Sequence, residues 1–143
     1  MLANDTYQNL KSLLKKHEGF ADYPYKDIYG NLTIGYGHNL DSRRFSKSMA
    51  SAQLDEDIQY FLLELQEKLD VFNKLDEARK VVLLNMCFNL GVNGLLGFKE
   101  MLKALRNKDY ARAAKEMMHS KWAQKDVKKR ALELAKIMEE GKL

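Results

Sequence analysis

The chain has 143 residues and a mass of 16.6 kDa, enough for one compact domain, or two lobes sharing a core, without a metal or disulfide to hold it. Hydrophobic residues make up 45% and charged residues 31%, which excludes a disordered chain. Residues 1–75 carry 9 basic and 11 acidic side chains, net −2, whereas residues 76–143 carry 15 and 9, net +6.

A basic half predicts an anionic partner, whether nucleic acid, a membrane surface or an acidic wall polymer, or else a solvated lysine-rich surface. No nucleic-acid signature such as a zinc-finger spacing accompanies it. No apolar run approaches the roughly 18 residues of a membrane span. The start, MLANDTYQNLKSLLKK, lacks the apolar core of a standard signal peptide. One cysteine, Cys87, excludes an internal disulfide and reads as a small buried hydrophobe inside LLNMCFNL. With three histidines beside it, no metal site and no cofactor are expected.

Asp5 or Thr6 can cap a first helix with Tyr7, Leu10, Leu14 and His17 at helical spacing, ended by Gly19. Residues 20–40 differ. FADYPYKDIYGNLTIGYGHNL is rich in aromatic and β-branched residues, holds the single proline, Pro24, and has a turn signal at 29–31. It predicts a β-hairpin with strands near 24–28 and 32–36. A helix near 50–69 follows, with Leu54, Ile58, Phe61, Leu62 and Leu65 on one face. Asp76 caps the next, near 78–90, apolar nearly all round and therefore the core helix. GVNGLLGF reads as a tight connection. Helices near 98–107, 109–121 and 126–140 complete the chain, with Gly141 as the stop. The fold class is α+β: mostly helical, with one small hairpin.

Glu18, Asp27 and Thr33 are the candidate chemistry. Glu18 closes the first helix, and the hairpin strands are expected to set Asp27 opposite Thr33. Two carboxyls and a hydroxyl converging on a cleft suit glycosidic hydrolysis: one carboxyl protonates the leaving oxygen, and the other stays ionised to orient or activate water. Taken singly, each residue is an ordinary helix-end, turn or strand residue. Their spacing makes the trio.

The segment HEGFADYPYKDIYGNLTIGYGH resembles the catalytic segment of phage-type lysozymes (endolysins), glycoside hydrolase family 24, the family of the T-even phage lysozyme. LLNMCFNLGVNGLLGF and SKWAQKDVKKRALELAKIMEEG extend the resemblance, in the family's order, over most of the chain. The resemblance implies a single lysozyme-like domain over 1–143. It comprises a small lobe near 19–60 and a larger helical lobe, near 70–143 plus the N-terminal helix, with a cleft between the lobes. It also implies a muramidase that cuts the β-1,4 bond between N-acetylmuramic acid and N-acetylglucosamine in peptidoglycan with inversion.

Residue by residue, the resemblance implies Glu18 as general acid, with Asp27 and Thr33 holding the attacking water. Inversion requires carboxyls roughly 6.5–9.5 Å apart. Gly37, Asn39, Phe88 and Asn89 match saccharide-binding positions. His38 and Asp57 match a supporting ion pair, and Arg130 matches an arginine that pairs with the catalytic glutamate. Trp122 reads as core. Only 18 residues separate His38 from Asp57, shorter than in the T-even enzyme, so the small lobe is cut down.

The resemblance further implies a monomer that accumulates in the host bacterial cytoplasm and needs a holin-type protein to reach the wall from the periplasmic side, without inserting stably in the membrane. Nucleic acid is not an expected partner. A lytic transglycosylase would need only the acid. A non-catalytic helical protein that binds wall or nucleic acid would leave the trio without purpose.

Overall fold

A computed structural model describes residues 1–143 apart from the side chain of residue 126. The chain divides into two compact units, Met1–Ala52 and Gln53–Leu143.

The first unit contains α1 (Asn4–Glu18) and a three-stranded antiparallel sheet of β1 (Ala21–Lys26), β2 (Leu32–Gly35) and β3 (His38–Asn39), in that order. Ala3 is the N-cap of α1. Asp5 therefore lies in the first turn, where it complements the helix dipole rather than capping. Gly19 ends the helix at φ +68, as its position predicts. The helix falls in the same compact unit as the sheet. The reason is local: only Gly19 and Phe20 separate α1 from β1, and the Phe20 and Tyr36 rings meet at 5.4 Å. The Lys15 ammonium also lies 5.2 Å from the Tyr36 ring centroid.

β1 begins and ends earlier than the strand expected over 24–28. Its register pairs Ala21 with Gly35, Tyr25 with Thr33 and Lys26 with Leu32, with an irregularity between Ala21 and Tyr25. That stretch contains Pro24, which has no N–H to give the ladder. Asp27 therefore lies beyond the strand, and the residue opposite Thr33 is Tyr25. β3, not foreseen from the sequence, pairs Thr33 with Asn39 and Ile34 with His38. Gly35 (φ +67) and Gly37 (φ +71) supply the left-handed backbone that turns β2 into β3 within two residues.

α2 (Lys47–Lys68) runs on into the second unit, which continues through α3 (Glu77–Leu96), α4 (Lys99–Arg106), α5 (Tyr110–Met118) and α6 (Lys128–Glu140). Its core is centred on α3. Val82, Leu83 and Met86 are fully buried there with Leu65, Phe72, Leu95, Met101, Leu105 and Met138, each such side chain contributing roughly 1.5–3 kcal/mol of hydrophobic stabilisation. Asp76 caps α3 as expected, accepting from the Arg79 backbone N–H at 3.1 Å. The first regular stretch of α3 ends near 90, as expected. The kink falls at Gly91 (φ 71, ψ 167), and a second short helical segment runs from there to Leu96 where a tight connection was expected, with Val92 and Leu95 buried. Gly141 stops α6 in the left-handed conformation, its N–H bonded to Ile137 O at 2.8 Å. Cys87 and Trp122 are buried, as read from the sequence. Among the described residues no single helix is long and apolar enough to cross a membrane.

Candidate active site

The β1–β2 turn is built by Asp27. Its backbone N–H donates to Asn31 O at 2.9 Å, and Gly30 N–H returns to Asp27 O at 3.0 Å. The Asp27 Oδ1 accepts the N–H groups of Tyr29 (2.9 Å) and Asn31 (2.8 Å), the local pattern that makes aspartate a turn residue. Asn31 Nδ2 reaches Oδ2 at 3.4 Å. These donors stabilise the carboxylate, the Asn31 N–H most of all, and hold Asp27 below the ordinary value of 3.8. Oδ2, the less engaged oxygen, is left for a further donor.

Thr33 is buried to 3% exposure, the one buried residue among those described in the first unit. Its hydroxyl donates to Asn31 O at 3.0 Å. With its proton so committed, Oγ1 has lone pairs free to accept. Asn31 thus ties both residues together: its N–H groups hold Asp27, and its carbonyl holds Thr33.

Glu18 arrives as the last residue of α1 and packs against Gly37. The loop after β3 is closed by Asn39, whose Oδ1 accepts from Asp41 N–H (3.0 Å) and Ser42 N–H (3.1 Å). Asp41 in turn accepts from Leu32 N–H at 2.7 Å. Glu18, Asp27, Thr33, Gly37 and Asn39 line one cavity of about 530 Å³ inside the first unit, together with Tyr25, Lys26, Ile28, Tyr29 and Arg43. Two carboxyls and a hydroxyl lining one water-accessible volume are a constellation for acid–base hydrolysis.

The phage lysozyme family matches residues 15–136 of this sequence. The chain belongs to that family. It is therefore a glycoside hydrolase of the lysozyme class. It is 30% identical to a probable T4-type lysozyme 1 of Dictyostelium discoideum over 80% of this chain and 84% of that one. To a probable T4-type lysozyme 2 of the same organism it is 30% identical over 94% and 96%. It is 33% identical to a SAR-endolysin of Escherichia phage Mu over 70% of this chain and 58% of that protein. The α+β fold read from the sequence, mostly helical with a small sheet, is the fold observed.

The remaining positions singled out by family resemblance sit as follows. His38 lies in β3, and among the described residues its Nε2 is buried without a hydrogen-bond partner. Asp57, in the second unit, accepts from Gln53 Nε2 at 3.2 Å. Asn89 accepts from Trp122 Nε1 at 2.6 Å, which commits its carbonyl oxygen to the core indole. Phe88 packs on Phe61 at 5.1 Å and keeps 39% of its surface exposed. Arg130 donates through Nε and its NH2 group to Asn85 Oδ1 (2.8 Å) and Asn85 O (2.9 Å). The cavity residues missed from the sequence are Tyr25, Lys26, Ile28, Tyr29 and Arg43. The first four flank Asp27 in the chain and could have been found by proximity. Arg43 carries no motif.

Proposed function

We propose that this lysozyme-family enzyme hydrolyses the β-1,4 bond between N-acetylmuramic acid and N-acetylglucosamine in peptidoglycan, with inversion at the anomeric carbon. The supporting observation is that Glu18, Asp27 and Thr33 line a single cavity. Glu18, protonated, gives its proton to the glycosidic oxygen as the C1–O bond breaks. A water on the opposite face donates one hydrogen bond to Asp27 Oδ2 and one to Thr33 Oγ1, which leaves an oxygen lone pair for C1. As the new C–O bond forms, the water proton passes to Asp27. Solvent exchange then returns Asp27 to the carboxylate and Glu18 to the acid. The donors that hold Asp27 ionised suit a base, and the committed Thr33 proton suits an acceptor.

The exposed face of Phe88 is a candidate sugar contact, and the net +6 of residues 76–143 favours approach to an anionic wall. In this reading the protein is a monomeric endolysin that gathers in the bacterial cytoplasm and reaches the wall through a holin-type protein.

The test is clearing of a wall suspension, with new reducing ends counted, by wild type and Glu18→Gln. The substitution keeps the shape and removes the transferable proton, so the rate should fall about 10²–10⁴-fold with the fold intact. Undiminished lysis by the variant, or anhydro-muramyl ends from the wild type, overturns this mechanism.

A further inference from the structure

The cavity holds a cation that the hydrolytic steps do not use. Arg43 lines it beside Glu18, Asp27 and Thr33. Its backbone is held by the turn that Asn39 closes, with Arg43 N–H bonded to Asn39 O at 2.9 Å. Its NH2 group donates to Gly37 O at 3.0 Å. Gly37 is the residue packed against Glu18, so the guanidinium is anchored on the loop that abuts the candidate acid. Among the described residues Arg43 makes no ion pair, and this is its one side-chain hydrogen bond. A guanidinium carries five N–H donors in a rigid fork. Those left over lie on a side chain that is exposed yet already oriented, so binding an anion there sacrifices little rotamer freedom.

The electrostatics call for such a group. A site with two carboxyls, one of them held ionised, repels an anionic substrate. Peptidoglycan strands are anionic at the muramyl residue, through either the lactyl group or the peptide attached to it. Chitin-like glycans have no carboxylate. We propose that Arg43 is a specificity residue that receives a carboxylate borne by the muramyl residue, so that the enzyme favours carboxylated glycan over a neutral one. The proposal rests on the muramidase reading above.

Three soluble strand preparations test it: strands with their peptides, strands stripped by an amidase to the free lactyl carboxylate, and stripped strands whose lactyl group has been converted to the neutral methylamide. Wild type, Arg43→Gln and Arg43→Lys are compared by reducing-end release, with thermal unfolding as the check on folding. For wild type, kcat/KM should be higher on a carboxylated strand than on the neutral one. For Arg43→Gln that ratio should fall about tenfold, through KM. Arg43→Lys, which keeps the charge without the fork, should fall between the two.

Loss confined to the peptide-bearing strand identifies the peptide carboxylate, and loss confined to the stripped strand identifies the lactyl one. An unchanged ratio overturns the proposal, whether activity is retained or falls equally on all three strands, since equal loss marks Arg43 as only a brace for Gly37. If the wild type releases no reducing ends from any strand, the muramidase reading itself fails, a result separable from the first.

Discussion

Gly37 and Glu18 are packed so closely that a Cβ at position 37 would lie 2.7 Å from both Cδ and Oε2 of the Glu18 carboxyl. The backbone there is also left-handed, at φ +71. The backbone favours glycine, and a larger residue would push the Glu18 carboxyl aside, so the contact bears on how the candidate acid is aimed.

Gly37→Ala should therefore act twice. The left-handed backbone costs the alanine about 1–2 kcal/mol, read as a lower urea midpoint. The displaced Glu18 carboxyl should cost on the order of 10²-fold in kcat, since an ångström of misplacement is that expensive at a reacting centre. A variant that melts lower but keeps full kcat would show that the glycine serves the turn alone.

As the proposed base, Asp27 should set an acid limit on activity. Its pKa is lowered, with the Asn31 N–H as the largest cause, so the carboxylate stays ionised below the ordinary aspartate range. Its contribution is complete above the unfolded value of 3.8 and is lost as the pH falls through the lower folded value. The acid limb of kcat/KM assigned to this base should lie below 3.8. Asp27→Asn retains an oxygen for the two turn N–H groups, so the fold should persist while activity falls about 10²–10⁴-fold. A fully active Asp27→Asn enzyme would remove the residue from the mechanism.

Arg79 is the main polar anchor of the second unit. It is buried at 9% exposure and donates through Nε to Met138 O (2.7 Å) and through NH2 to Glu139 O (3.0 Å). Its remaining arm meets Asp76 at 2.7 Å, and the guanidinium lies 3.4 Å from the Tyr110 ring centroid. It thus satisfies carbonyls at the end of α6 that the helix cannot satisfy itself. Arg79→Leu should destabilise by about 2–4 kcal/mol, the cost of leaving such acceptors unmet. The urea midpoint reads this directly, and no change would mean that water replaces the guanidinium without penalty.

Cys87 reports on unfolding. It is fully buried, and burial pushes its thiol up to about 12. At pH 8 a thiol reagent should modify it only when the core opens, so the labelling rate should track the unfolding equilibrium through a urea series. Immediate stoichiometric labelling of the native protein would contradict the placement.

What the sequence determined by itself was whatever is encoded within a few residues. Helical periodicity located the starts of α1 to α6 to within a few positions. Asp76 as cap, Gly19 and Gly141 as stops, and Cys87 and Trp122 as core residues were readable, because caps, glycine termini and burial patterns are local consequences of backbone hydrogen bonding and side-chain polarity. That Glu18, Asp27 and Thr33 share one cavity was foreseeable because all three fall within residues 18–33.

The tertiary structure decided what depends on register and on distant partners. Asp27 left the strand because the turn closed around its own carboxylate, and Thr33 faced Tyr25 in consequence. β3 formed because the glycine turn returned the chain to β2, which no periodicity announces over two residues. A second short helical turn formed after the kink at Gly91, with Val92 and Leu95 buried. Arg79 found its acceptors 59 and 60 residues away, and Arg43 came to the cavity through a turn rather than a motif. A side chain's chemistry is written in the sequence, but its partners are set by where the packed chain puts them.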